Sequence, residues 1–135
     1  MPQMQIAIDK NLLPASTGED ILKLCKKLDE LFEDEKSALL HGDLWNGNRL
    51  FDEIGNPVLI DPAVYFGSRH MDLAMTTLFG GFDTAFYESY HNHFPLPANH
   101  KKLWEVCNLY PLLVHVNLFG SSYLPAVNSI INKYS

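Results

Sequence analysis

Much of what usually marks a function is scarce or missing in this sequence. Cysteine is rare: Cys25 and Cys107 are the only two in 135 residues. Both fall in apolar helical patterns, so they read as buried thiols of a reducing compartment rather than as a disulfide framework. Basic residues are few, 10 Lys and Arg against 16 Asp and Glu, for a formal net charge of −6. An acidic chain without a basic stripe argues against nucleic acid as a partner. No apolar run is long enough to span a bilayer, and Met1–Lys10 lacks the charged start and apolar block of a secretory signal. The expectation is a soluble, cytoplasmic protein with no membrane partner. His91 and His93 invite a zinc reading, but no other histidine or cysteine stands at suitable spacing. Neither a Gly-x-Ser-x-Gly elbow nor a Cys–His constellation supports acyl transfer.

The remaining composition suits a folded chain. Hydrophobic residues make up 47% and charged residues 19%, enough apolar surface for a core and too little charge for disorder. The length suits one compact domain, 1–135. Residues 1–16 show little period and read as a loose lead-in or a segment that packs on something else. Thr17-Gly18-Glu19-Asp20 has the form of a capping box. Ile21, Leu24, Cys25, Leu28, Leu31 and Phe32 follow at helical spacing, and the acidic run Glu33-Asp34-Glu35 closes that helix. Ser37–Leu40 leads into a loop. Arg49–Asp52 and Pro57–Ile60 read as two short strands joined by Glu53-Ile54-Gly55-Asn56, with Gly and Asn supplying positive φ. Pro62–Gly67 reads as loop. Met71, Ala74, Met75, Leu78 and Phe79 make a helix face ended by Gly80-Gly81. Asp83 or Thr84 caps the next helix, which Pro95 and Pro97 terminate. Leu103–Phe119 is apolar nearly all round, a buried helix with a kink or break at Pro111. After Gly120, a last helix carries Val127, Ile130 and Ile131 inward, with Pro125 in its first turn. The fold class expected is α+β, mostly helical: a short β-hairpin on a helical bundle, with the loop and hairpin at 39–62 and the bundle at 70–135.

One stretch carries chemistry. His41-Gly42-Asp43-Leu44-Trp45-Asn46-Gly47-Asn48 is followed by Ile60-Asp61-Pro62. Asn48 lies five residues after Asp43 and Asp61 eighteen after it. Phosphoryl transfer needs a carboxylate to orient and deprotonate a hydroxyl, then two hard oxygen ligands to hold magnesium on a nucleotide. Asp43 fits the first task, Asn48 and Asp61 the second. The predicted hairpin begins just after Asn48 and ends just before Asp61, so its antiparallel pairing brings the two ligands together. Leu50 and Ile60 flank them, equally readable as the floor of an adenine pocket or as plain core. His41 reads as a structural residue that holds the turn. Asp72 either caps its own helix or reaches back to brace the loop. Trp45 offers an indole face to a sugar or amine substrate, or seals the loop onto the core. Arg69 either meets substrate or braces the loop. His115 reads as a satisfied helix residue.

His41–Asn48, Leu50-Phe51, Pro57–Tyr65 and Asp72-Leu73-Ala74-Met75 resemble the fructosamine (ketosamine) kinase family. Leu78-Phe79-Gly80-Gly81-Phe82, Tyr110-Pro111-Leu112-Leu113 and Asn117-Leu118-Phe119-Gly120 add to the resemblance, which runs from about Leu39 to the C-terminus. The related aminoglycoside and choline kinases share the His-Gly-Asp and Asp elements but usually not the tryptophan or the Pro-Ala-Val-Tyr run. The resemblance implies a protein-kinase-like fold and transfer of the ATP γ-phosphate to the 3-hydroxyl of a ketosamine, free or protein-bound. It implies Asp43 as base, Asn48 and Asp61 as magnesium ligands, and Trp45 beside substrate. His70 departs from the pattern, since an acidic residue is expected after the arginine. So does the absence of a nucleotide-gripping lysine on a strand upstream: Lys10, Lys23, Lys26 and Lys27 fall in the lead-in or on the first helix. The chain thus corresponds to the C-terminal lobe alone, slow or inactive by itself, with an apolar surface that favours self-association. The alternatives are a kinase for another small amino-alcohol or aminosugar, and a non-catalytic lobe.

Overall fold

A computed structural model describes residues 1–32 and 36–134; the acidic run Glu33–Glu35, expected to close the first amphipathic helix, lies outside the described residues. In chain order the elements are α1 (Pro2–Asp9), α2 (Ala15–Cys25), α3 (Leu28–Leu31), β1 (Ser37–Leu40), β2 (Arg49–Phe51), β3 (Pro57–Leu59), β4 (Tyr65–Ser68), α4 (His70–Met75), α5 (Thr84–His93), α6 (His100–Cys107), α7 (Leu109–Phe119) and α8 (Leu124–Tyr134). The architecture is mostly helical α+β, with two separate two-stranded antiparallel sheets among the described residues. Among the described residues, no helix is long and apolar enough to cross a membrane. The chain packs as two compact units, 1–34 with 108–135, and 35–107.

The first unit is helical. α1 packs on α2 and α7, and α8 packs on α2 and α7. Met4 and Ala7, Ile21 and Leu24, Leu112, Leu113 and Val116, and Val127, Ile130 and Ile131 are buried at helical spacing. Each such Leu, Ile, Val or Met side chain contributes roughly 1.5–3 kcal/mol when fully buried. Several expectations change here. Residues 1–16, read as a loose lead-in or as a segment that packs on something else, take the second course and include α1, whose buried residues recur over too short a span to show a period. The expected capping box does not form, because α2 already begins at Ala15 after an extended Pro14 and carries no side-chain cap. Thr17 therefore lies inside the first turn. Gly18 serves packing instead: a Cβ there would stand 2.7 Å from Ile8 Cδ1. Cys25 is only partly buried. The single helix expected over Leu103–Phe119 is two, and the break comes at Asn108, before Pro111. Pro111 then sits in the first turn of α7, where its missing N–H costs nothing.

In the second unit β1 pairs with β4 in the register Leu40↔Tyr65 to Ser37↔Ser68. This corrects the loop expected through Gly67. β2 pairs with β3 in the register Arg49↔Leu59 to Phe51↔Pro57, the expected hairpin. In its turn Gly55 alone has positive φ, while Asn56 is held by Asp52 instead. α4 packs on α6, and across them the buried Trp104 donates Nε1–H to Nδ1 of the buried His70 at 3.0 Å. α4 stops at Met75, short of the expected Leu78 and Phe79. There the Thr76 hydroxyl bonds back to the Leu73 carbonyl, and the chain turns through positive φ at Phe79, Gly80 and Gly81. Asp83 caps α5 by accepting from Phe86 N at 2.9 Å. Burial pushes the Cys107 thiol up to about 12.

Candidate active site

The loop after β1 is fixed by backbone bonds that leave little freedom. The Asp72 carboxylate accepts from His41 N at 2.7 Å with one oxygen and from Gly42 N at 2.9 Å with the other. One residue at the start of α4 thus holds two successive loop amides, the bracing alternative read from the sequence. His41 accepts the Asp43 N–H on Nδ1 at 3.3 Å, so its proton is on Nε2, which donates to the Ile60 carbonyl at 3.0 Å. Its ring therefore spans from the loop to the far end of the hairpin. Gly42 has φ +83°, and a Cβ there would lie 2.0 Å from the Ala63 carbonyl oxygen. Only glycine fits at that point. The Ala63 N–H donates to the His41 carbonyl at 2.8 Å, so the chain after Asp61 closes on the loop before Asp43.

Asn48 is 7% exposed. Its Nδ2 donates to both the backbone carbonyl and the Oδ2 of Asp43, at 2.9 Å each. With the nitrogen committed, the amide oxygen is the group left to bind a cation. The Asn48 carbonyl accepts from Ile60 N at 3.0 Å, which puts Asp61 one residue beyond the bond that closes the hairpin. Asp61 is exposed and adopts φ +52°, a left-handed conformation that costs a non-glycine residue of order 1–3 kcal/mol and is often found at functional sites. Asp43, Asn48 and the hairpin end leading to Asp61 are thus drawn together by bonds rather than by sequence proximity.

The other candidates are placed less uniformly. The Trp45 indole lies against Gly47 and meets Phe79 edge-on at 6.1 Å, leaving the side chain half-buried. Leu50 is 50% exposed opposite Val58, so it is not core; Ile60 is half-buried. Arg69 donates to the Phe94 and Pro95 carbonyls at 3.3 and 3.0 Å, which directs its guanidinium to the chain leaving α5. His115 bonds to the Pro111 carbonyl at 2.8 Å. Arg49 was not singled out in the sequence, yet its guanidinium contacts Asn46 in the loop and Asp83 at the start of α5. Nothing local signals this, since Asp83 is 34 residues further on. A groove of about 930 Å³ between α5 and α6, walled by Tyr87, His91, Leu96, His100 and Trp104, is lined by none of Asp43, Asn48 and Asp61.

Comparison with known proteins gives a consistent picture. The family model described as fructosamine kinase matches residues 1–135. A "Probable ketoamine kinase" of Lactiplantibacillus plantarum is 56% identical over 99 residues, covering 73% of this chain and 35% of that protein. A chloroplastic "Protein-ribulosamine 3-kinase" of Arabidopsis thaliana is 40% identical over 113 residues, covering 82% and 34%. The crystal structure of a "putative fructosamine-3-kinase" from Thermobifida fusca superposes with a TM-score of 0.88 at 35% identity, over 98% of this chain and 46% of that one. The chain therefore spans between about a third and a half of the length of these relatives.

Proposed function

The chain belongs to the fructosamine kinase family, and from that premise we propose that it carries the phosphotransfer site of an enzyme moving the γ-phosphate of ATP to the 3-hydroxyl of a ketosamine. The observation that carries this reading is the Asn48 side chain bonded to the Asp43 carboxylate while its backbone closes the hairpin that leads to Asp61. Asp43 takes the role of base: it accepts the proton of the substrate hydroxyl and aims that oxygen in line. Asn48 and Asp61 offer one neutral and one anionic oxygen, a donor set that suits magnesium better than a soft metal. Magnesium, when bound, neutralises charge on the phosphates. Asp72 and His41 hold the loop and touch no substrate. The open part of the Trp45 indole serves as the platform for the sugar or its amine. Arg69, with its guanidinium on two carbonyls, we assign to bracing the chain after α5.

Leu39, Leu50, Phe51, Ile54, Leu59, Val64 and Phe66, drawn from both sheets and their connections, are all at least half exposed. Apolar exposure on that scale supports packing against further protein, either a lobe that grips nucleotide or a second copy of the chain. Sedimentation that gives a monomer at high concentration counts against the second copy. Acting by themselves, with no strand lysine and no phosphate-covering loop to grip the nucleotide, these 135 residues have less electrostatic stabilisation for this chemistry, so they should turn over more slowly than the ~1–100 s⁻¹ usual for kinases. The test is ATP- and magnesium-dependent phosphorylation of a model ketosamine, read by mass spectrometry. Asp43→Ala should lower it by about 10²–10⁴-fold without changing the folded state. Turnover that survives this substitution rejects Asp43 as base. Phosphorylation of a simple amino-alcohol in preference to the ketosamine moves the substrate to another small hydroxylated amine.

A further inference from the structure

The hairpin that ends at Asp61 has almost no core of its own. Leu50, Phe51, Val58 and Leu59 are all exposed. Arg49, the first residue of β2, is the exception, with a side chain 19% exposed. Its guanidinium lies 4.5 Å from the ring centroid of Phe82 and 5.3 Å from that of Phe51. Nη2 donates to Asn46 Oδ1 at 3.0 Å, and Nη1 lies 3.5 Å from Asp83 Oδ2. Three pieces of chain meet on this one side chain: the loop three residues past Asp43, the hairpin, and the segment that caps α5. A guanidinium suits the position because it is flat enough to stack on rings while its N–H groups fork toward separate acceptors; an ammonium does neither. Among the described residues Nε is buried without an acceptor, which costs stability. Orientation explains the arrangement better than stability does.

We propose that Arg49 is a positioning residue: it sets the pose of the hairpin against the loop, and so the separation of Asp61 from Asp43. Its catalytic consequence rests on the phosphotransfer reading, while its effect on the hairpin does not. The Ile60 N–H to the Asn48 carbonyl and the His41 ring to the Ile60 carbonyl tie the base of the hairpin to the loop. Arg49, at the same base, reaches on to the 82–83 segment.

The test uses the full chain and two readouts. In Arg49→Met, amide hydrogen exchange at Ile60 should accelerate about tenfold or more, while exchange at Ala63, which belongs to the other sheet's connection, stays unchanged. With ATP, magnesium and a model ketosamine, kcat should fall about 10–100-fold with the ketosamine KM within about twofold. Arg49→Lys should behave like Arg49→Met. If Arg49→Met does not fold, Asp83→Asn removes the ion pair, keeps an oxygen for the cap, and should speed exchange at Ile60 severalfold. Unchanged exchange at Ile60, equal acceleration at Ile60 and Ala63, or full restoration by lysine each overturns the inference. So does an unchanged kcat in a variant whose hairpin has loosened. Wild-type chain that turns over no faster than Asp43→Ala shows that these residues need further protein for turnover, and the exchange pattern then decides the role of Arg49 by itself.

Discussion

The two small sheets of the second unit are similar in size and held in opposite ways. β2–β3 is local. Asp52 sets its turn by accepting from Ile54 N, Asn56 N and Asn56 Nδ2, and its outward side chains meet solvent. β1–β4 pairs segments whose nearest partners, Leu40 and Tyr65, are 25 residues apart. Its pairing runs directly into the loop, where Ala63 N–H meets the His41 carbonyl and Asp72 takes the next amides. The difference separates two tasks. The non-local sheet, with α4, fixes the backbone that presents Asp43. The local hairpin supplies Asn48 and Asp61 and depends on a few tethers at its base to bring them into place. A change in the first should damage folding and site together. A change in the second should move Asn48 and Asp61 while the rest stands.

The largest effect is expected where the non-local sheet meets the loop. Gly42→Ala puts a methyl group 2.0 Å from the Ala63 carbonyl oxygen in a backbone held at φ +83°. Relief requires the two segments to part, at a cost of about 3 kcal/mol or more. Urea denaturation measures it, and a variant as stable as wild type shows that the closure of Ala63 on His41 is dispensable. Asp72→Ala comes next. It leaves the His41 and Gly42 amides without their shared acceptor, a loss of roughly 2–3 kcal/mol. Asp72→Asn keeps one acceptor oxygen and should recover about half of that loss. If asparagine is no better than alanine, Asp72 matters through packing rather than through these two bonds.

The same contrast explains what could be read in advance. The β2–β3 hairpin, the Asp83 cap and the inward face of α8 are each specified within about a dozen residues, so period and turn chemistry reveal them. The meeting of Asn48 with the end of the hairpin followed from antiparallel geometry alone. β1 and β4 carried no such signal: Ser37–Leu40 and Tyr65–Ser68 are short, and what makes them strands is each other. α1 was missed because Met4 and Ala7 show their role only against α2 and α7. Asp72 could be read as a brace or a cap, and only the fold chooses. Arg49 was invisible because its partners at 82–83 come close only after α4 has turned the chain back.

The smallest effect sharpens the comparison at the tip of the hairpin. The Asp52 carboxyl is held below the usual carboxylate range, first by the backbone N–H of Asn56, then by its side-chain amide, with smaller help from the Ile54 and Gly55 amides. A depressed folded value means that the ionised form is favoured by folding. Its contribution is therefore complete above the ordinary carboxylate pKa and fades as pH falls below it through the folded value. From pH 7 to 5 the turn should not change. Below about pH 4 the Asn56 and Gly55 amides should shift and exchange faster, in step with protonation of Asp52 followed by carboxyl NMR. Asp52→Asn should remove that pH response from the turn. If the tip loosens while the Ile60 amide stays protected, the turn and the base tethers are independent, and the pose of Asp61 is set from the base, where Arg49 acts. If Ile60 loses protection together with Asn56, the hairpin moves as one rigid piece and the local turn itself controls where Asp61 lies.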